Sequence, residues 1–319
     1  MSALRVSIVT NAKEETAAFT NGIFPDDMEI LLQTESEMLG RIGDIDVLIP
    51  GHISVDKGLI ERGENLKLIH CGTGYNNVDL DAASACGAYV AVTPNVAATS
   101  VAELVFASIL TLAKKIATFD SMMKNGGWKT TDFIGVPELK GKTLGIIGFG
   151  NIGKAAAAIG KGFQMDIMAH DPHIEISDSS VKNASLDELL TSADFITLHV
   201  LLNEQTKGMM GTAQFEMMKE NAILVNACRG PVVNEEALVE ALSQRKIGGA
   251  CLDVFEKEPL RADSGLRDLD NIILTPHIAY CADEALAGRY QFFADNCARV
   301  IKGEVPNMAI NSDRVKNGS

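Results

Sequence analysis

The stretch Leu144–Lys154, LGIIGFGNIGK, joins an apolar run to a glycine-rich turn. Its glycines Gly148, Gly150 and Gly153 have Gly-x-Gly-x-x-Gly spacing, and an alanine-rich helical pattern follows them. A strand, a tight turn and a helix in this order are the context that a dinucleotide-binding turn requires. The stretch therefore predicts a βαβ unit that binds a dinucleotide, although the motif begins far from the N-terminus.

Each residue of the turn has an expected part in this interpretation. Gly148 permits the tight turn, Gly150 lets the backbone approach a pyrophosphate, and Gly153 allows close packing of helix and strand. The amides of Asn151 and Ile152 then face phosphate oxygens at the positive end of the helix. The competing interpretation is a purely structural glycine turn.

The next predicted strand ends in Asp171, where a carboxylate can accept a hydrogen bond from a ribose 2′-hydroxyl. The same carboxylate would repel a 2′-phosphate, and no Arg or Lys occurs between Asp171 and Lys182 to offset this. We therefore expect the cofactor to be NAD, with NADH preferred over NADPH.

Apolar runs typical of buried strands alternate with helical patterns along the whole chain. Such alternation predicts mostly parallel sheets with helices on both faces. We predict two doubly wound α/β domains. A flavodoxin-like substrate domain comprises residues 1–98 and 284–319, and a Rossmann NAD-binding domain, residues 99–283, is nested within it. Six strands are expected in the nested domain.

Two Ser-x-x-Glu patterns predict helix starts through capping boxes. Ser100 and Glu103 indicate the start of one long helix that extends to Gly126, and Ser185 and Glu188 indicate a second start.

The bulk composition excludes several classes of function. The net charge of −14 leaves no basic excess for a nucleic acid or an anionic membrane. The six cysteines are scattered without Cys-x-x-Cys pairs or histidines at zinc spacing, so we expect neither disulfides nor a metal site. No apolar run reaches membrane-spanning length and no signal peptide pattern begins the chain. These features predict a soluble cytoplasmic protein.

Polar residues follow the later strands, where an open α/β sheet places its ligand crevice. These residues are Arg229, Asp253, Glu258 and His277. Singly, each has an ordinary interpretation as a surface ion pair, a solvated acid or a structural histidine. Together they fit the reduction of a 2-oxo acid. Arg229 is suited to bidentate binding of the carboxylate, and His277 to giving a proton to the carbonyl oxygen. Glu258, in contact with His277, would stabilise the protonated ring.

Across nearly its whole length, the sequence resembles the D-isomer-specific 2-hydroxyacid dehydrogenases. The motifs that carry the resemblance are GTGYNNVDLDAA, TPNVAATSVAELVFASIL, LGIIGFGNIG, NACRGPVVNEEAL, GACLDVFEKEP and TPHIA, in this order. The resemblance implies two α/β domains with the active site in the cleft, and a homodimer joined through the NAD domain.

The resemblance also assigns roles to single residues. It implies that Arg229, Glu258 and His277 are catalytic and that Thr73 and Gly74 bind the substrate carboxylate through their main chain, while Asp253 contacts the nicotinamide amide. The implied cofactor site further includes the residues Val200, Thr206, Ala227, Cys228, Arg229, His277 and Ala279.

Departures from the family pattern bear on the substrate. Leu201 replaces a common proline, and Tyr280 and Cys281 replace small residues beside His277. The segment LIPGHIS has His52 but no arginine of the kind that phosphoglycerate-using members carry. Glyoxylate or hydroxypyruvate, a bulkier 2-oxo acid and phosphohydroxypyruvate all stay open as substrates. A non-catalytic NAD-sensing corepressor is the alternative from a different class.

Overall fold

Parallel strands joined by helices form most of the protein in a computed structural model that describes residues 3–93, 96–131 and 135–315. The remaining residues of the two predicted domains, 1–2, 94–95, 132–134 and 316–319, lie outside this part. The chain forms two compact units. Unit 1 comprises Met1–Val96 with Ala282–Ser319, and unit 2 comprises Ala97–Cys281.

The strands of the described residues are short and mostly apolar. They are β1 Leu4–Val9, β2 Met28–Gln33, β3 Val47–Ile49, β4 Leu68–His70, β5 Tyr89–Ala91, β6 Thr143–Ile147, β7 Asp166–His170, β8 Val181–Asn183, β9 Phe195–Leu198, β10 Ile223–Asn226, β11 Gly249–Leu252 and β12 Ile272–Leu274.

Helices connect most of these strands. They are α1 Lys13–Thr20, α2 Glu35–Leu39, α3 Lys57–Arg62, α4 Leu80–Ala85, α5 Ala98–Ala113, α6 Ile116–Lys124, α7 Asn151–Gly162, α8 Leu186–Ser192, α9 Thr212–Met217, α10 Glu235–Ser243, α11 Asp283–Ile301 and α12 Ser312–Val315.

Unit 1 is built on a parallel sheet with the strand order β2-β1-β3-β4-β5 in the described part of the chain. This is the order of flavodoxin-like folds. The central strands β3 and β4 are buried at every position, as expected for a parallel sheet covered on both faces. The C-terminal segment belongs to this unit, because the buried Asn296 of α11 donates to His70 Nε2 at 2.8 Å and to the carbonyl of Asn307 at 3.0 Å.

Unit 2 is built on a second parallel sheet, whose described strands have the order β12-β11-β10-β9-β6-β7-β8. This is the order of a Rossmann fold, and the direction of winding reverses between β6 and β9. Apolar clusters cover both faces of the sheet. The predicted fold class, a flavodoxin-like and a Rossmann sheet with the second inserted into the chain of the first, is confirmed.

Two predictions about elements are wrong. The Rossmann sheet has a seventh strand among the described residues, β8, which the sequence did not indicate because it is short and two of its three residues are exposed. The predicted long helix is two helices, since Lys115 between α5 and α6 has a left-handed φ of 54°. Helix α5 buries residues along its length, whereas α6 buries none, so packing and not local propensity ends the first helix.

The two predicted capping boxes have different outcomes. Ser185 is the N-cap of α8 and accepts a hydrogen bond from the Glu188 amide at 3.2 Å, as predicted. Ser100 is not an N-cap, because α5 begins at Ala98, and its hydroxyl donates to the carbonyl oxygen of Ala279 instead.

Candidate active site

The glycine turn lies between the end of β6 and the start of α7, beside the point where the winding reverses. Gly148 has φ of +93°, and a Cβ at this residue would overlap the carbonyl group of His199. A Cβ at Gly153 would overlap the Gly148 carbonyl oxygen. Both residues must therefore be glycine for the turn, β9 and α7 to approach so closely.

The N-terminus of α7 suits a phosphate group. Gly150 is the N-cap, and a Cβ at this residue would meet no protein atom within 4 Å. Asn151 and Ile152 begin the helix, where backbone amides have no acceptor within the helix and the dipole favours an anion. The open space beside Gly150 and the amides of the first helical turn together fit the pyrophosphate of a dinucleotide.

Asp171 follows β7 and its carboxylate is held against the glycine turn. Its Oδ2 accepts from the Phe149 amide at 2.8 Å, and its Oδ1 accepts from the amides of His173 and Ile174 at 2.9 and 3.1 Å. A carboxylate offers about four acceptor positions, so these three bonds leave room for one more donor. The bond to Phe149 was not foreseen, and it ties the acidic residue directly to the turn.

The loop after β9 contains two residues of the predicted cofactor site. Val200 is half-buried, two residues after the end of this strand. The Thr206 hydroxyl donates to the Leu201 carbonyl at 2.5 Å, and the Thr206 amide donates to Asn203 Oδ1 at 3.0 Å. The loop is therefore ordered by its own hydrogen bonds, while the Leu201 side chain is 80% exposed.

His199 follows β9 directly, and its imidazole is neutral. The sequence did not predict a role for this residue. Burial lowers its pKa to about 3, and its Nε2 pairs with Thr197 Oγ1 at 3.0 Å. Its Nδ1 has no hydrogen-bond partner within the described residues.

Arg229 follows β10 in a turn that is held by Asn226. The buried Asn226 donates from Nδ2 to the Arg229 carbonyl at 3.0 Å, and its Oδ1 accepts from the Cys228 amide at 3.1 Å. Arg229 Nη1 donates to the Cys228 carbonyl at 2.6 Å. Ala227 is half-buried, and burial raises the pKa of the Cys228 thiol to about 11, so it stays protonated at neutral pH.

Asn226 is a residue that sequence reasoning missed. The available signal was a polar residue at the end of an otherwise apolar strand, three residues before the arginine. A buried side chain there must find hydrogen-bond partners, and the nearest are main-chain groups of the turn.

The turn that carries Arg229 lies against the loop that carries Glu258. Gly230 follows the arginine, and a Cβ at this residue would overlap the carbonyl group of Phe255. The Phe255 amide in turn donates to Glu258 Oε1 at 3.1 Å. Two predicted catalytic residues are thus held by backbone segments in direct contact.

His277 and Glu258 are joined by a hydrogen bond. The imidazole Nδ1 lies 2.7 Å from Glu258 Oε2. The His277 and Glu258 side chains are 25% and 35% exposed, so the pair is accessible without being fully solvated. Glu258 binds the Nδ1 side of the ring, and the Nε2 edge therefore points away from it.

Asp253, which follows β11, holds the backbone around His277. His277 has a left-handed φ of 55°, and its amide donates to the Asp253 carbonyl at 2.8 Å. The buried Asp253 carboxylate accepts from Thr275 Oγ1 at 2.6 Å and from the amides of Ile278 and Ala279, both at 2.9 Å. These bonds leave about one acceptor position for the predicted nicotinamide contact.

Tyr280 and Cys281, which replace small residues of the family pattern, have different surroundings. The Tyr280 ring contacts the His277 ring edge-on, with centroids 5.9 Å apart and planes at 80°. Cys281 is exposed, and its amide donates to the Ile278 carbonyl at 2.9 Å.

The sheet of unit 2 brings most of the predicted site residues to one edge. Because β10, β11 and β12 are adjacent and parallel, Arg229, Asp253 and His277 follow neighbouring strand ends. The glycine turn and Asp171 follow β6 and β7 at the same edge. Thr73 and Gly74 belong to unit 1, in the loop after β4, where Thr73 is exposed and Gly74 is half-buried.

Comparison with known proteins identifies the family. Residues 106–279 match the family described as D-isomer specific 2-hydroxyacid dehydrogenase, NAD binding domain. The chain is also 39% identical over 289 residues to a glyoxylate reductase of Thermococcus litoralis, covering 86% of each chain. The chain belongs to this family. It is an NAD-dependent oxidoreductase.

Other members of the family have different substrates. A D-3-phosphoglycerate dehydrogenase of Methanocaldococcus jannaschii is 39% identical over 288 residues. This match covers 88% of the present dehydrogenase but only 55% of that relative, so the chain spans about half the relative's length.

Solved structures include complexes with both nicotinamide cofactors. A D-lactate dehydrogenase with NAD+ from Lactobacillus jensenii has a TM-score of 0.81 at 26% identity, covering 96% of this chain and 99% of that one. An acyclic imino acid reductase in complex with NADPH and D-Arg has a TM-score of 0.80 at 26% identity, covering 96% and 100%.

Metal-ion clusters and membrane-spanning helices are both absent from the described residues. These residues contain no cluster of His, Cys, Asp or Glu that could hold a metal ion. No helix in the same residues is long and apolar enough to cross a membrane.

Proposed function

We propose that this dehydrogenase interconverts a small 2-oxo acid, of the glyoxylate or hydroxypyruvate type, and its D-2-hydroxy acid. The observation that carries the proposal is the 2.7 Å bond between His277 Nδ1 and Glu258 Oε2. It lies at the sheet edge where Arg229 and the glycine turn also lie. An imidazole oriented by a carboxylate, with a guanidinium two strands away at the same sheet edge, suits proton transfer to a carbonyl beside a carboxylate.

Arg229 binds the substrate carboxylate in this mechanism. Its guanidinium has five N–H donors in a planar fork, one of which is used for the Cys228 carbonyl. That bond anchors the fork and leaves other donors for two carboxylate oxygens.

His277 moves the proton. When bound, the nicotinamide supplies the hydride that adds to the carbonyl carbon. His277 gives a proton to the carbonyl oxygen as negative charge develops there, and it takes the proton back when the hydroxy acid is oxidised. Glu258 keeps the imidazole in one orientation, with its Nε2 edge directed away from the carboxylate.

NADH is the proposed cofactor in preference to NADPH. The Asp171 carboxylate is held beside the glycine turn by the Phe149 amide, and it keeps about one acceptor position for a ribose hydroxyl. A 2′-phosphate would meet the negative charge of Asp171, and residues 172–181 contain no Arg or Lys to compensate.

The substrate proposal is tested by NADH consumption with a panel of acids. The panel contains glyoxylate, hydroxypyruvate, pyruvate, longer 2-oxo acids and phosphohydroxypyruvate. We expect the highest kcat/KM with glyoxylate or hydroxypyruvate. Preference for phosphohydroxypyruvate would favour the phosphoglycerate dehydrogenase alternative, which the Methanocaldococcus relative supports. Turnover of no acid, with NADH still bound, would favour an NAD-sensing corepressor.

A homodimer through the NAD domain is also proposed. Helix α6 buries no residue, and its Ile116 and Met123 side chains are 51% and 48% exposed. Analytical ultracentrifugation should give twice the chain mass for the wild type, and the monomer mass for Ile116→Glu with Met123→Glu. Met308→Glu, at a similarly exposed methionine of unit 1, should leave the dimer intact. A monomeric wild type would contradict the proposal.

We further propose a cytoplasmic location. Cys71, Cys228, Cys251 and Cys297 are buried thiols outside any disulfide, which is usual for proteins of reducing compartments. Recovery of the native protein in a membrane or exported fraction would contradict this location.

A further inference from the structure

Ser100 makes a contact that its position in the sequence does not suggest. It lies in the first turn of α5, and its hydroxyl donates to the Ala279 carbonyl at 2.5 Å, across 179 residues of sequence. Both residues belong to unit 2. The bond joins the start of a helix to the loop that carries His277.

The accepting peptide group is close to the proposed proton donor. Ala279 is buried two residues after His277, and its amide donates to Asp253 Oδ2 at 2.9 Å. Ser100 binds the carbonyl of the same residue. Both polar main-chain atoms of Ala279 are therefore held, one by the strand end of β11 and the other by α5.

The loop needs such restraints, because His277 has a left-handed φ of 55°. This conformation is uncommon for residues other than glycine, so surrounding contacts must maintain it. Asp253 binds the His277 segment from the sheet side through main-chain and side-chain bonds. Ser100 is the restraint that comes from a helix.

Helix α5 is a rigid support for this hydroxyl. Its residues Ala102, Val105, Phe106 and Ile109 are buried, and they pack in the apolar cluster between α5 and the sheet. A side chain on a well-packed helix holds its partner more closely than a side chain on a loop does.

We propose that Ser100 is a positioning residue for His277. By binding the Ala279 carbonyl, it holds the loop after β12 in the conformation that presents the imidazole for proton transfer. This inference rests on the proposed function, in which His277 is the proton donor. The resemblance to the family assigns Ser100 no role.

Three variants test the inference. Ser100→Ala removes the donor, Ser100→Thr keeps a hydroxyl, and Ser108→Ala removes a buried hydroxyl further along the same helix, where it contacts Cys251. Small misplacements of reacting groups lower rates by up to about 100-fold. We expect kcat of Ser100→Ala to fall about 10-fold to 100-fold, with the Kd for NADH within about twofold of wild type. Ser100→Thr should restore most of the rate, and Ser108→Ala should keep it.

The midpoints of thermal unfolding of the two alanine variants distinguish a positioning role of Ser100 from a general effect on stability. Ser100→Ala and Ser108→Ala should lose similar amounts of stability, because each loses one hydrogen bond. If Ser108→Ala loses as much kcat as Ser100→Ala, the effect is general and the inference is overturned.

A double-mutant cycle with His277→Ala gives the decisive result. If Ser100 acts through His277, Ser100→Ala should lower the residual rate of His277→Ala by less than about twofold. A reduction by the same factor as in the wild type overturns the inference while the proposed function stands. Unchanged turnover in Ser100→Ala, with His277→Ala inactive, also overturns it. If His277→Ala itself turns over like the wild type, the proposed function fails, and the inference fails with it.

Discussion

Single residues at strand ends carry the chemistry proposed for this dehydrogenase. His277 is oriented by Glu258 on one ring nitrogen and by Asp253 through its backbone. Asn226 binds the Arg229 main-chain carbonyl, and the Arg229 guanidinium donates to the carbonyl of Cys228. Each proposed catalytic side chain therefore has a second residue that holds it, which is the arrangement that acid–base catalysis requires.

Replacement of His277 tests the proton-transfer step. General acid–base catalysis contributes about 10²-fold to 10⁴-fold, so His277→Ala should lower kcat by that factor while NADH still binds. Glu258→Gln keeps an acceptor for the ring and should lower kcat less. Steady-state kinetics and fluorescence titration with NADH measure the two effects. A His277→Ala enzyme with wild-type kcat would remove His277 as the acid.

Replacement of Asp171 tests the cofactor preference. Asp171→Asn removes the charge but keeps an oxygen to accept from the nearby amides. The repulsion of a 2′-phosphate should fall, so the ratio of kcat/KM for NADH to that for NADPH should narrow by about tenfold or more. Asp178→Asn, at an exposed acid in the following loop, is the matched control. An unaltered ratio in Asp171→Asn would contradict the proposed ribose contact.

The sequence indicated the strand-end residues because each follows an apolar run within a few residues. Ser100 was misread as a cap, since its partner is 179 residues away and no local pattern reports such a contact. Asn226 was overlooked for a related reason. Its role depends on burial of the turn, which packing determines.

Among the elements, the turn after β10 shows how closely two loops must approach. Gly230 lies so near the Phe255 carbonyl that any side chain would displace one of the two segments. Because Arg229 precedes Gly230 and the Phe255 amide binds Glu258, a displacement here would move two of the proposed catalytic residues.

Gly230→Ala tests this contact. Overpacking of this kind costs about 1–3 kcal/mol, so the free energy of unfolding in urea should fall by that amount. We also expect a lower kcat, since both loops shift. Gly265→Ala is the control in the same unit, because its Cβ would lie 3.5 Å from Val239 Cγ1, an ordinary contact. Equal stability and kcat in Gly230→Ala and the wild type would contradict the tight approach.

Neither the end of α5 nor strand β8 could be predicted from the local sequence. Helix α5 ends at Ala113 although Ala and Lys favour helices, because the following residues have no core to pack against. Strand β8 forms by pairing with β7 at the sheet edge, and its own sequence contains no apolar run.

The C-terminal segment is joined to unit 1 by a neutral buried histidine. Burial lowers the pKa of His70 to about 4. Asn296 donates to its Nε2 at 2.8 Å, so this nitrogen is an acceptor and the ring carries its proton on Nδ1, 3.2 Å from the Cys71 carbonyl. The hydrogen bond from Asn296 therefore requires the uncharged form of His70.

Stability should consequently fall in mild acid. An unfolded histidine titrates near 6.5, whereas His70 in the folded protein resists protonation until about pH 4. His70 therefore contributes stability that is complete above pH 6.5 and is lost as pH falls from 6.5 toward 4, by about 3 kcal/mol. The buried His199, whose pKa is lowered to about 3, adds a loss of the same sign. Urea unfolding at pH 7 and pH 5 measures the change. His70→Gln should make the pH dependence less steep and leave the part that His199 contributes, whereas His173→Gln, at an exposed histidine, should leave the whole dependence. An equally steep dependence in His70→Gln would exclude His70 as its source.

The sequence by itself determined the two α/β sheets, the glycine turn and the residues at the strand ends. These features follow from short-range patterns, because the spacing of apolar residues and the residue types that form turns are both properties of neighbouring positions in the sequence. Only the tertiary structure decided what holds Arg229 and His277 in place. Asn226, Asp253 and Ser100 act through main-chain groups of folded loops, and those groups meet only when strands and helices pack. LGIIGFGNIGK therefore identifies the cofactor domain, whereas the orientation of the catalytic groups comes from long-range packing.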